Sequence, residues 1–109
     1  YAAYLWGNVD GVCKAGSYTG TGADQNINCG FAARFVMIKY FDSGSNWIYL
    51  DSARGLATTP TNPFLRYDTI DAEVTWDNYV LGHANGFTAV GSHADVNTSG
   101  GTYIYLAIA

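Results

Sequence analysis

The chain has 109 residues, 49% of them hydrophobic and only 13% charged, with a formal net charge of −4. This composition argues against a disordered chain, and the absence of any Lys or Arg block argues against nucleic acid or an anionic membrane as partner. One domain is the most that this length carries, and no apolar run approaches the roughly 18 residues needed to span a bilayer. With so little charge, the surface is either built from Ser, Thr, Asn and Gly or covered by partners, and the second alternative suits an assembly subunit. A chain that begins on Tyr1 with no signal-peptide pattern reads as a processed or excised piece of a longer polypeptide.

No stretch has a capped 3.6-residue period, and 13 glycines are scattered throughout, so no helix is predicted. Short β-branched and aromatic segments separated by turn residues are predicted instead. In chain order they begin with apolar Tyr1–Trp6, the turn Asn8-Val9-Asp10-Gly11, and Val12–Tyr18. The Gly-rich loop "TGTGADQN" leads into Ile27–Phe31. Phe35–Phe41, "FVMIKYF", is the strongest strand signal, and the hairpin loop "DSGSN" returns it into Trp47–Asp51. "ATTPTNP" reads as a loop carrying both prolines, followed by a short strand Phe64–Tyr67, polar Asp68–Asn78 and a short Tyr79–Leu81. Asn85-Gly86 signals a turn before Gly86–Gly91, "SHADVNTSGG" is a loop, and Thr102–Ala109 is the last strand.

Eight or so such strands predict an all-β fold, an antiparallel β-sandwich of jelly-roll-like type, as a single domain over 1–109. The ends resemble each other: Tyr103–Ala109 laid over Tyr1–Gly7 gives two Tyr-led, apolar, uncharged heptads. Two arrangements explain this. The first and last strands lie side by side in one sheet, or residues 1–10 are the closing strand and linker of a preceding tandem unit.

The order of "GSYTGTG", "CGFAARFVMIKY", "NWIYLDSARG", "NGFTAVGS" and "NTSGGTYIYLAIA" resembles a β-sandwich domain of bacteriophage virion proteins of tail or tail-fibre type, in the concanavalin A-like jelly-roll class. Ala33 stands where that pattern usually has Pro, and Thr21 where it has Asn, which touches loop rigidity more than fold. The resemblance covers nearly the whole chain. It implies localisation in the virion, with other virion proteins and further copies of the chain as partners. The implied role is a non-enzymatic structural or surface-presentation module of a tail, fibre or capsid decoration, in contact with the host surface. The alternative is a carbohydrate-binding, lectin-like module; a small glycosidase or lyase is the third reading.

The residues themselves offer few chemical constellations. Trp76, Asp77 and Asn78 in "VTWDNY" form the candidate contact for a sugar or a protein partner, a ring for the sugar's CH face with polar groups for its hydroxyls. Trp6 and Trp47 are the other large anchors, and Trp47 is read as structural packing. Asp51 and Arg54 are read as a local salt bridge fixing a strand exit, in preference to a ligand contact. Asp71 and Glu73 alternate on a possible strand, but nothing else supports the facing carboxylates of a glycosidase, so no catalytic residue is assigned. His83 and His93 lack any accompanying nucleophile elbow or zinc motif and are read as loop histidines. Cys13 and Cys29 permit one disulfide, though two unpaired thiols are the preferred reading. No metal site and no cofactor are expected. Asn97-Thr98-Ser99 matches a glycosylation sequon, which carries no meaning in a protein made in bacteria.

Overall fold

A computed structural model of the protein describes residues 3, 5–56, 61–77 and 79–109, without the side chains of 61, 62 and 75–77. Among them there is no helix, and nine strands form two antiparallel sheets. The strands are β1 (Cys13–Thr19), β2 (Gln25–Asn28), β3 (Phe35–Tyr40), β4 (Ile48–Asp51), β5 (Thr61–Arg66), β6 (Val74–Asp77), β7 (Val80–His83), β8 (Gly86–Ala89) and β9 (Thr102–Ile108). The large sheet runs β1-β9-β3-β4-β5-β6, and the small one β2-β8-β7. The predicted antiparallel β-sandwich is the fold.

Alternation along the strands sorts side chains to the two faces of the large sheet. Val36 and Ile38 on β3, Ile48 and Leu50 on β4, and Tyr103, Tyr105 and Ala107 on β9 turn inward and are buried. They meet Ile27, Val80, Phe87 and Ala89 of the small sheet in one core. Full burial of each aliphatic side chain contributes about 1.5–3 kcal/mol relative to exposure. The inner face also carries a row of tyrosines on three adjacent strands. Register places Tyr103 between Tyr18 and Tyr40, and its ring stacks on both, with centroids at 5.1 and 4.7 Å. Beside this row, Tyr105 lies over Gly16 of β1. A Cβ there would meet the Tyr105 hydroxyl at 2.9 Å, so only glycine fits without displacing the ring.

The expected pairing of the two ends is corrected. β9 has β1 on one side and β3 on the other, so both its edges are already taken. Ala3, Leu5 and Trp6 belong to no strand, while Tyr1, Ala2 and Tyr4 lie outside the described residues. The first strand is β1, and the residues just before it cover part of its free edge. Val9 bridges Cys13, and the Ala15 N–H donates to Asn8 Oδ1 at 2.8 Å. Such cover is one way a sheet edge is kept from pairing with other chains.

The proline loop is also shorter than expected. β5 begins at Thr61 and includes Pro63, which pairs with Thr75 of β6. The ladder to β4 reaches only Leu65 and Arg66. At Pro63 the strand is paired on one side, where a missing N–H is tolerated. Polar 68–78, for which no firm strand was predicted, contains β6.

The tyrosine row makes the fold sensitive to alkali. Burial raises the pKa of Tyr18 and pushes that of Tyr105 up to about 12. A phenol whose folded value lies above its unfolded value of about 10 stabilises the fold fully below pH 10, and that contribution is lost as pH rises toward the folded value. The melting temperature is therefore expected to fall steadily above about pH 10, and Tyr105→Phe to flatten part of that fall. A melting temperature unchanged between pH 9 and about 11.5 would contradict this assignment.

Candidate functional site

Two regions of the sandwich are organised for more than burial: a pinned cluster of loops at one end, and the outer face of the large sheet.

The segment 91–101 crosses the end of the sandwich before β9, and the Gly-rich segment 20–24 runs beside it. Asn97 joins them and is fully buried. Its Oδ1 accepts from the Thr21 N–H at 3.0 Å and from Gln25 Nε2 at 2.8 Å. Its Nδ2 donates to the carbonyls of Ala23 at 2.7 Å and Gly91 at 2.6 Å. The Asn97 carbonyl takes the Gly22 N–H, and its own N–H donates to the His93 carbonyl. A carboxamide offers two donors and two acceptor lone pairs, so every capacity of this side chain is used. The tyrosine row holds the same segment from beneath: Tyr18 and Tyr103 hydroxyls donate to the Val96 and Ala94 carbonyls, each at 2.6 Å. Gly20 approaches the Thr98 carbonyl too closely for any Cβ to fit. The sequon asparagine is thus a structural residue whose amide is closed to modification.

On the opposite side of the large sheet lies an apolar groove of about 720 Å³. Register creates its floor. Phe35 faces Ile108 and Met37 faces Leu106 across β3 and β9, which brings four outward apolar side chains together. Trp6, Trp47 and Tyr67 form its walls, and Asp68 is the one carboxylate lining it. The Tyr67 N–H donates to the Trp47 carbonyl at 3.0 Å, tying the two wall residues together. Tyr49 stacks between Phe35, at 5.9 Å, and Tyr67, at 4.4 Å, extending an aromatic row across β3, β4 and the end of β5. Burial and the neighbouring Tyr49 raise the Tyr67 pKa.

Trp6 and Trp47 stand out in the sequence as anchors, but the floor they enclose does not. The available signal was the near-continuous apolar runs of β3 and β9, which mark strands apolar on both faces.

The predicted site residues fall elsewhere. Trp76 and Asp77 belong to β6, the edge strand of the large sheet, opposite Asn62 and Thr61. Their side chains, and Asn78 altogether, lie outside the described residues. Arg54 joins Asp51 to Glu73, its Nε donating to Asp51 Oδ2 at 3.1 Å and its Nη1 to Glu73 Oε2 at 2.9 Å. The Arg54 N–H also donates to Asp51 Oδ1, closing the turn after β4. The hydrogen bond with Glu73 is the main cause raising the Arg54 pKa. Asp71 is engaged by a different arginine, Arg66, at 3.4 Å. Asp71 and Glu73 therefore hold two separate ion pairs. His83 and His93 do not meet either: each Nδ1 accepts from the backbone N–H two residues on, at 3.1 Å. Cys13 and Cys29 are unpaired, and burial pushes the Cys29 thiol up. Among the described residues, no group of three or more His, Cys, Asp or Glu is placed to hold a metal ion.

Fold and surface together define a β-sandwich with a hydrogen-bonded loop end and an aromatic-walled groove on one sheet face. The chain belongs to the DUF7483 family, described as a domain of unknown function, whose model matches residues 1–109. No curated protein and no solved structure matches it.

Removing the Asn97 amide strands two donors and two carbonyls at a buried site, each at a cost of about 1–3 kcal/mol where water cannot enter. Asn97→Ala is expected to cost about 3–5 kcal/mol in denaturant unfolding. Asn97→Asp keeps the acceptors but sets a carboxylate oxygen against the Ala23 and Gly91 carbonyls, so its stability should improve on acidification. A loss below about 1 kcal/mol for Asn97→Ala would remove the amide from this role.

Proposed function

We propose that this chain is a non-enzymatic structural module of a bacteriophage virion protein, in a tail, fibre or capsid decoration, that packs by one sheet face and holds its loops outward. The observation that carries the reading as a packing module is the groove on the outer face of the large sheet: four apolar floor residues, three aromatic walls and one carboxylate. An apolar, concave, aromatic-rimmed surface on a chain with 13% charged residues is the composition of a contact between proteins. The loop end supports the presenting half of the role. Its segments are fixed by Asn97 and the tyrosines, so they keep one shape without a ligand. The virion as location rests on the resemblance of the five ordered sequence motifs. Partners on this reading are other virion proteins and further copies of the chain, with a host-surface glycan as the outward contact.

The test is to raise an antibody against the chain and probe gradient-purified particles from cells infected with the phage that encodes it. The chain is expected to co-sediment with intact particles and to be labelled on their surface. A chain abundant in infected-cell extract but missing from particles would overturn the assignment.

A further inference from the structure

We infer that the outer face of the large sheet docks a second copy of this chain about a two-fold axis, with Leu5 of each copy set against the groove of the other. The inference rests on the packing role proposed above and names the partner of that same surface.

Leu5 is 95% exposed and sits beside Trp6, a groove wall that is itself 49% exposed. An apolar knob next to an apolar hole on one face is self-complementary under two-fold rotation, because each copy supplies what the other lacks.

Leu5, Trp6, Tyr67 and Ile104 all have more than a third of their surface in water. Ile104 belongs to the same face through its place on β9, two residues before Leu106. With the groove floor these side chains expose on the order of 600 Å² of apolar surface, close to the roughly 800 Å² per partner that a standard interface covers.

The chain carries a net −4, so contact between copies is opposed wherever acidic groups meet. The outward positions of β3, β4 and β9 hold two charged side chains of opposite sign, Lys39 and Asp51, and the groove adds one carboxylate, Asp68. Lys39 already donates to the Ser45 carbonyl, and Asp51 to Arg54 is an ion pair. This face is where copies can meet with little repulsion. The same scarcity of polar groups makes it a poor surface for a glycan, which needs hydrogen-bond partners for its hydroxyls.

The inference is tested by light scattering on the 109-residue chain from about 1 μM to about 1 mM. A monomer–dimer equilibrium is expected. Leu5→Asp and Ile104→Lys should each weaken it by about 30-fold or more, while Asn28→Asp, at an exposed position on β2 of the small sheet, should leave it unchanged. Leu5 is too exposed to support the fold, so Leu5→Asp should keep the parent circular dichroism and melting temperature. A chain that stays monomeric throughout, or a dimer insensitive to both Leu5→Asp and Ile104→Lys, would overturn the inference. A monomer that is nonetheless found in particles would overturn it while leaving the virion role standing; a dimer absent from particles would do the reverse.

Discussion

The buried carboxamide of Asn97 ties together two loops more than 70 residues apart in sequence, and the end of the sandwich depends on it. Its four side-chain hydrogen bonds replace the ones that segments 20–24 and 91–97 would otherwise make to water. In a buried position that exchange is all or nothing, because each unmet donor or carbonyl carries the full cost of desolvation. The tyrosine row ensures that the segment arrives in the right place. Tyr18 and Tyr103 pack by their rings in the core and hold the loop by their hydroxyls, so the same side chains serve the sheet and its closure.

Fixing the loops from inside frees the other side of the large sheet. β9 shows the division most clearly. Its Tyr103, Tyr105 and Ala107 face the small sheet, and its Ile104, Leu106 and Ile108 face away from it. A strand apolar on both faces is stable only if something covers each side. The core covers one. On the other, the groove walls cover Leu106 to 5% exposure yet leave Ile104 at 36%. The uncovered remainder of this face links the fold to the proposed packing role: the molecule is closed at its core and incomplete on its outer sheet.

The large hairpin was legible because its signals are local. "FVMIKYF" and "WIYLD" alternate or run apolar on either side of a Gly-Ser turn, and they became β3 and β4 almost to the residue. "TYIYLAIA" was equally plain as a strand, but its partners were not. Likeness between the two ends suggested pairing, whereas register is decided by which strands flank β9, and that information is spread over the whole chain. Pro63 hid the start of β5, since a proline argues against a strand unless one side is known to be unpaired. The candidate site was less legible still. An asparagine in "DVNTSGG" looks like any loop residue, and only its distant partners make it a buried one. The groove needs Trp6, Phe35, Tyr67 and Leu106 from four separate segments, which no local pattern brings together.

Hydrogen–deuterium exchange resolved to single residues tests the role of Asn97 most directly. Loops full of Gly, Ser and Thr ordinarily exchange quickly, while amides held by a buried acceptor open only with the surrounding structure. The Thr21 and Gly22 amides, bonded to the Asn97 side chain and carbonyl, are expected to exchange as slowly as amides of the central strands β3 and β9. Exchange of both at the rate of the exposed 42–44 turn would contradict it.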